Sequence, residues 1–450
     1  MDSPCYNHKY ENLIKNYREW SSAMETVKLG MLGLGTVGSG VLEMIENNES
    51  KIRNIVGREL SVKTVVVRHP EKHQNAAADI KLTTEFEEVL NDNEIQIVVE
   101  LIGGIHPAKE YIERLLKAHK SVVTANKDLI ASYGPELAAL AYENHCDLMY
   151  EASVAGGIPI LRTIVNSFAA DNILEVKGIV NGTTNYILTQ MNQKHWTYDE
   201  ALKKAQELGF AEADPTNDVT GKDAAYKMII LSYFAFGTQL KIDDFKTEGI
   251  DTLNAFDVSQ AESLGYVIKL VGSAKVINGG VFVDVAPTLV PEDHPLATIN
   301  NEFNAVMVTG KAVGDTLFYG PGAGGLPTAN SVLSDITSEV KNLIMGTSGH
   351  AFNTYQNEYV PADPDDVSYP YYLSLTMPDV SGQMLKFTKI MADIKASFSQ
   401  IVQSPIKDEG IAHVAVITHE LSQSQLTELK HQLHNADSIK LNAAYKVLEN

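Results

Sequence analysis

Residues 27–48 read VKLGMLGLGTVGSGVLEMIENN, and this stretch decides the fold. Residues 27–32 form a short apolar run with the composition of a buried strand, and 41–45 supply the apolar face of a helix. Between them Gly33, Gly35 and Gly38 make the pattern G-x-G-x-x-G. A strand before it and a helix after it is the context in which this pattern cradles a dinucleotide pyrophosphate. The first glycine permits the tight turn, the second lets the backbone approach the phosphates, and the third lets the helix pack on the strand. Thr36 and Val37 open the helix, whose unpaired N–H groups and partial positive charge suit phosphate. The alternative is a glycine turn that merely joins packed elements.

Outward from this loop, apolar strands at 61–67, 95–101, 121–124 and 147–150 alternate with helices at 107–118 and 134–143, the latter opened by Pro135. Such alternation predicts an α/β fold, a Rossmann-like doubly wound parallel sheet, over 27–150. The strand at 61–67 ends in Arg68-His69 where an acid would normally hold the ribose of NAD. An arginine there suits a 2′-phosphate, which favours NADP(H) and leaves NAD(H) open.

From Glu151 the texture changes. A glycine-rich turn at 155–159 leads to a helix at 160–168 and a strand at 174–180. Thr197 and Glu200 have capping-box spacing and Gly209 suits a helix end, so 198–208 reads as a helix. A helix at 224–236, strands at 281–287 and 305–310, and a helix at 331–343 complete an α+β region over 151–345. By a family resemblance that its motifs carry, this region is expected to bind substrate and to dimerise, its last part returning to the first domain. Polar residues 346–369 read as a linker, and 370–450 show a strand-helix-strand-strand-helix order suited to a small ferredoxin-like module. Residues 1–26 form an N-terminal extension, with Met24 an alternative start.

The 450 residues allow two to four domains. A net charge of −21 argues against a nucleic-acid partner and against docking on an anionic membrane. Two cysteines, Cys5 and Cys146, cannot build a disulfide framework; the first residues carry no secretory signal, and no apolar run reaches membrane-spanning length. A cytoplasmic protein is the expectation.

The chemistry concentrates at 205–227, AQELGFAEADPTNDVTGKDAAYK, where Glu212, Asp214, Asp218, Asp223 and Lys227 gather around Pro215 and Gly221. Asp223 and Lys227 lie four apart at the start of an apolar helix and share one face. Such a pair is ordinarily a surface ion pair of little worth. The acid-rich loop beside it suits a zwitterionic amino-acid substrate, with acids for the ammonium and a lysine for proton transfer. The pairs His69/His73 and His431/His434 lack a third ligand at zinc spacing and read as loop or helix histidines.

The segments at 181–188 (NGTTNYIL) and 205–227 resemble the signatures of homoserine dehydrogenases. So do TANK at 124–127, YEASVAGGIP at 150–159 and GPGAGGLPT at 320–328, in the family's order. The tail resembles an ACT domain, with Asp379-Val-Ser-Gly382 where Asp-x-Pro-Gly is common. The resemblance implies reversible NAD(P)H-dependent reduction of L-aspartate 4-semialdehyde to L-homoserine, in threonine and methionine biosynthesis. It implies Lys227 as proton donor, Asp223 as its companion, and Lys127 as a cation where cofactor and substrate meet. It implies substrate contacts from Glu212, Asp218, Gly182 and Thr183, and cofactor contacts from Gly103, Lys127 and Gly325 beside the 33–38 loop. A sodium ion would use the Glu151 side chain and the carbonyls of Val154, Gly156 and Ile158; a turn whose carbonyls bind water is the alternative. Threonine is the effector implied for the tail, with dimer stabilisation alone as the alternative. A homodimer or homotetramer of a monofunctional form is expected. Two competing functions are a silent sensor that keeps its nucleotide domain and an NADP oxidoreductase of a related amino-aldehyde.

Overall fold

Strand β1 (Thr26–Leu32) starts the first sheet of the computed structural model, which describes residues 26–73, 79–406, 410–436 and 438–448. Apart from residue 26, the expected extension at 1–26 lies outside these residues, as does Cys5. The other strands are β2 (Glu59–Val66), β3 (Lys81–Thr83), β4 (Ile95–Glu100), β5 (Ser121–Thr124) and β6 (Leu148–Met149). Their order is β3-β2-β1-β4-β5-β6, all parallel, which is a doubly wound arrangement. Helix α1 (Thr36–Asn47) follows β1 directly. The chain reverses its winding between β1 and β4, and at such a switch point the strand ends leave a crevice for ligands.

The chain divides into two compact units. The first takes the described residues through Gly157 together with Gly324–Thr354; the second takes Ile158–Ala323 and the rest from Tyr355. The core of the first joins Leu29, Met31, Val65, Ile97 and Val99 of the sheet to Val332, Ile336 and Val340 of the helix Gly325–Met345. That helix begins at Gly325, six residues before the position expected from sequence. A second correction concerns α2 (Lys127–Glu143): sequence placed its start at 134 because proline commonly opens a helix. Pro135 instead sits inside, forfeiting one backbone bond, while Asn126 fixes the true start by accepting a hydrogen bond from the Leu129 N–H. The correction moves Lys127 from a loop onto the first turn of a helix.

The second unit holds β7 (Ile173–Ile179), β8 (Tyr266–Ile277), β9 (Gly280–Pro291), β10 (Phe303–Gly310) and β11 (Gly314–Pro321), then β12 (Tyr371–Pro378), β13 (Phe398–Ile406), β14 (Ile411–Thr418) and β15 (Lys440–Val447). They form one sheet in the order β11-β10-β7-β8-β9-β15-β12-β14-β13, with short strands Lys246–Thr247 and Val360–Pro361 pairing parallel to β9. Sequence reading missed β8, β11 and β15. Lys269, Gly272, Ser273 and Lys275 break the apolar run of β8, although Lys269 and Ser273 are buried.

The tail gives the order strand-helix-strand-strand-helix-strand through the helices Gln383–Asp393 and Gln423–His434, a ferredoxin-like topology. Leu373, Leu375, Phe387, Val414, Val416 and Leu429 fill its core. It does not stand apart behind a featureless linker, as sequence suggested. β15 pairs with β9 through Thr288 and Leu289, and buried Lys446 grips both carboxylate oxygens of Asp284 at 2.8 and 2.6 Å. Tyr372 and Tyr445 donate to the fully buried Asp257 at 3.4 and 3.3 Å, and burial pushes that carboxyl above its usual range. No described helix is long and apolar enough to cross a membrane.

In the first unit Glu339, on the helix Gly325–Met345, is 1% exposed beside Asp147, also 1% exposed. Burial first, then the Asp147 charge, pushes the Glu339 carboxyl up to about 9. A pKa raised by folding stabilises fully below the ordinary value of 4.5, and that contribution drains away as pH climbs from there to about 9. Between pH 5.5 and 8.5 the Tm of the natural protein is therefore expected to fall more steeply than that of Glu339→Gln. Parallel curves would contradict a neutral Glu339.

Candidate active site

The glycine loop has the shape the sequence requires. Gly33 has φ +97°, and a Cβ there would lie 2.9 Å from the Leu101 carbonyl oxygen. A Cβ at Gly38 would lie 2.9 Å from the Gly33 carbonyl oxygen, so helix and strand meet closely. Gly35 differs: nothing lies within 4 Å of a Cβ built there, so its outer face is open. Gly35 also caps α1 without any side-chain partner, which leaves the N–H groups of the first turn, from Thr36 and Val37 onward, for a ligand. Gly325 packs on this turn, its own Cβ position 3.1 Å from Thr36 Cγ2. An open second glycine between two crowded ones fits a pyrophosphate.

Two further groups stand at the carboxyl edge of the sheet. Arg68, just past β2, is exposed and makes no hydrogen bond or ion pair among the described residues. At the end of β4 the fully buried carboxylate of Glu100 accepts from the N–H groups of Ile102 and Gly103 at 2.8 and 3.1 Å, and from Thr124 Oγ1 at 2.6 Å. Asn126 Nδ2 donates to the Gly104 carbonyl at 2.6 Å while its Oδ1 caps α2. Thus Glu100 and Asn126 fix the Gly103 loop and the turn that presents Lys127. Sequence reading missed both; the signal was an acid ending the apolar run 97–99, and an asparagine at N-cap spacing.

In the second unit, α3 (Gly182–Lys194) starts where β7 ends, and α4 (Lys222–Phe236) carries Asp223 and Lys227. Asn181 joins them. Its Oδ1 accepts from the Thr184 N–H at 2.8 Å and caps α3, while its Nδ2 donates to Asp218 Oδ1 and to Asp223 Oδ2, each at 2.7 Å. Lys227 Nζ donates to Asp223 Oδ2 and to the Val180 carbonyl, each at 2.7 Å. Asn181, Asp223 and Lys227 are 4%, 6% and 9% exposed, far from the surface pair that spacing alone would suggest. An ammonium has three donors, and two are engaged here, so one is left for a ligand. Asn181 lay within a motif, but its double role was not read from sequence.

The remaining candidates fall out as follows. Thr183 Oγ1 donates to the Phe210 carbonyl at 2.5 Å, and Gly182 lets α3 approach Glu302, whose carbonyl oxygen would lie 2.6 Å from a Cβ. The Glu212 side chain is exposed, and its carbonyl accepts from Gln206 Nε2 at 3.1 Å. Asp214 caps its own turn through the Thr216 N–H, at 3.1 Å, and hydroxyl, at 2.5 Å, which hold its carboxyl below the usual range. Glu151 is fully buried on the turn Glu151–Ser153. Ala155 and Gly156 both have positive φ, and the Gly156 carbonyl accepts from Ser331 Oγ at 2.7 Å. The Ile158 carbonyl accepts from the Ile160 N–H at 2.8 Å, and the fully buried Val154 packs in the extended segment between. No cluster of three His, Cys, Asp or Glu side chains suited to a metal occurs among the described residues.

Two family models match the chain: the NAD-binding domain of homoserine dehydrogenase over residues 33–151 and homoserine dehydrogenase over 159–337. The chain is similar to a homoserine dehydrogenase of Lactococcus lactis subsp. lactis, 46% identical, over 94% of this chain and 99% of that one. The crystal structure of a homoserine dehydrogenase from Thiobacillus denitrificans superposes with a TM-score of 0.90 at 37% identity, covering 95% of this chain and 99% of that one. A hyperthermophilic archaeal homoserine dehydrogenase in complex with NADPH matches with a TM-score of 0.60 at 28% identity, covering 70% of this chain and 98% of that one.

The Asn181 geometry yields a stability test. Asn181→Ala removes a cap and both amide donors, and a loss of about 1 kcal/mol or more is expected. Asn181→Asp keeps the cap oxygen but adds a third carboxylate beside Asp218 and Asp223. Its Tm deficit is expected to be large at pH 7.5 and to shrink towards pH 4.5. A natural Tm for Asn181→Asp at pH 7.5 would show that the amide does not hold the two acids.

Proposed function

The chain belongs to the homoserine dehydrogenase family, and from that premise we propose that it reduces L-aspartate 4-semialdehyde to L-homoserine, and runs the reverse reaction, with NADPH as the favoured cofactor. The observation that carries the reading is Lys227: a nearly buried ammonium, fixed by Asp223 and the Val180 carbonyl, with one donor left over. NADPH, when bound, supplies the hydride that adds to the aldehyde carbon. The aldehyde oxygen then gains negative charge, and Lys227 delivers a proton to it as general acid; in oxidation the same amine takes the hydroxyl proton. Asp223 orients the amine and balances its charge. Asp218, held by Asn181, is suited to the substrate ammonium, and Glu212 is a second carboxylate for the same group.

Lys127, on the first turn of α2, adds a second cation able to stabilise developing negative charge. The open cradle at Gly35 and the exposed guanidinium of Arg68 fit a dinucleotide with a 2′-phosphate, and the archaeal relative holds NADPH. The buried carboxylate of Glu151, with the carbonyls of Val154, Gly156 and Ile158, would hold a sodium ion as a structural charge. We read the tail as an ACT module that takes threonine as feedback effector. A homodimer is favoured by β11, an edge strand of the sheet whose Leu317 and Tyr319 are exposed.

Absorbance at 340 nm with aspartate semialdehyde and either NADPH or NADH tests the assignment. Lys227→Ala is expected to lower kcat on the order of 10²-fold or more while NADPH affinity stays within about twofold. Arg68→Ala is expected to weaken NADPH about tenfold and leave NADH unchanged. Natural turnover in Lys227→Ala would overturn the proton-donor role, and equal effects on both cofactors would remove Arg68 from the 2′-phosphate.

A further inference from the structure

Lys269, on β8, is 1% exposed, yet no carboxylate meets it among the described residues. Its Nζ donates to the Ile299 carbonyl, to Asn185 Oδ1 at 3.2 Å and to Asn300 Oδ1 at 3.2 Å, so all three ammonium N–H groups end on neutral oxygens. Its cross-strand partner on β9 is the uncharged Thr288. Burial alone pushes its pKa down to about 7, with no charged group among the described residues adding to the shift. Lys446, also buried, is answered by Asp284. Holding an ammonium in the interior on uncharged oxygens costs free energy that an apolar side chain avoids, so the position calls for a reason beyond stability.

The oxygens around Lys269 belong to one joint. Asn185 lies one turn of α3 beyond the cap Asn181, and its Nδ2 donates to the carbonyls of Ile299 and Phe303 at 3.2 and 3.0 Å. Asn301 turns the chain at φ +58°, and its N–H donates to Thr189 Oγ1, a further turn along α3, at 2.9 Å. The Glu302 carbonyl then lies against Gly182, close enough to exclude a Cβ. Phe303 opens β10, where Ala305 pairs with Ile179, next to the Val180 carbonyl that holds Lys227. We propose that Lys269 is a positioning residue for substrate: its ammonium clamps 299–303 onto α3 and so sets the turn Asn181–Thr183 in the form that accepts an amino-acid substrate. The proposal rests on the homoserine reading of that turn and gives Lys269 no contact with the substrate itself.

The clamp depends on a proton. A neutral amine keeps two N–H groups for three oxygens and turns a lone pair towards the third. Substrate binding therefore weakens as pH climbs through about 7. Stability moves the other way. The folded value of about 7 lies below the ordinary 10.5, so the cost of the buried charge is complete below about 7 and fades as pH climbs from there towards 10.5. A lysine that only propped up the fold would move both quantities together.

The test measures KM and kcat for homoserine, together with Tm, between pH 6 and 9 in the full-length protein and two variants; comparison among them cancels the titration of homoserine and of Lys227. In Lys269→Met, KM at pH 6 is expected to rise about fivefold, the worth of one hydrogen bond, with kcat within about twofold. In the natural protein KM should approach that of Lys269→Met as pH rises, while its Tm gains on that of Lys269→Met. Asn300→Asp keeps the accepting oxygen and sets a carboxylate beside the ammonium, so its KM should begin to rise about one pH unit higher or more. This variant also decides the matter if Lys269→Met fails to fold. Amide hydrogen exchange over 181–189 and 299–303, read without substrate at pH 6, should quicken in Lys269→Met. A natural protein that turns over no homoserine would remove the homoserine reading and leave exchange to judge the clamp. The proposal is overturned if Lys269→Met leaves KM unchanged, if its loss falls on kcat alone, if the KM curves of Asn300→Asp and the natural protein coincide, or if exchange is unaltered.

Discussion

One side-chain amide organises the chemistry of the second unit. Asn181 stands at the junction of β7 and α3 and spends its oxygen on the helix cap and its two N–H groups on two acids from another part of the chain. Half-buried Asp218 and buried Asp223 are like charges drawn together, an arrangement that costs energy unless donors and a cation answer it. Asn181 supplies the donors and Lys227 the cation. Removing one member of such a buried pair typically costs ~3–5 kcal/mol, because the other is left charged and unanswered. The geometry that would position a proton for transfer is thus the same geometry that lets the helices pack.

A parallel logic runs through the first unit. Asn126 also caps a helix with its oxygen and pins a neighbouring loop with its nitrogen, here at Gly104. Glu100 locks that loop from below. The glycine cradle does the opposite: its cap residue has no side chain to satisfy the helix N-terminus, so those donors remain for phosphate. Whether a helix start is occupied by an asparagine or left bare by a glycine separates a structural corner from a binding one in this protein.

Much of this was legible in the chain. The G-x-G-x-x-G turn, its flanking elements and the parallel alternation follow from hydrophobic pattern and glycine placement, because both faces of such a sheet are covered and its strands read as continuous apolar runs. The capping box at Thr197–Glu200 is present as its spacing implies. Pro135 misled because proline at a helix start and proline inside a helix look alike without the cap. β8 and β15 were illegible because their buried lysines, Lys269 and Lys446, interrupt the apolar pattern; each is buried only because carbonyl, amide or carboxylate oxygens from distant segments meet it. The proximity of Asp223 and Lys227 could be read from helical spacing, but their burial could not, since it depends on Val180 and Asn181, more than forty residues away.

Asn181 is expected to act through the Lys227 pair rather than as a cap alone. A double-mutant cycle on kcat/KM for homoserine, with Asn181→Ala and Lys227→Ala, measures this directly. If Asn181 acts through Lys227, its substitution costs activity in the natural background and almost nothing once Lys227 is gone. Losses that simply multiply would contradict that role and leave Asn181 as a structural cap.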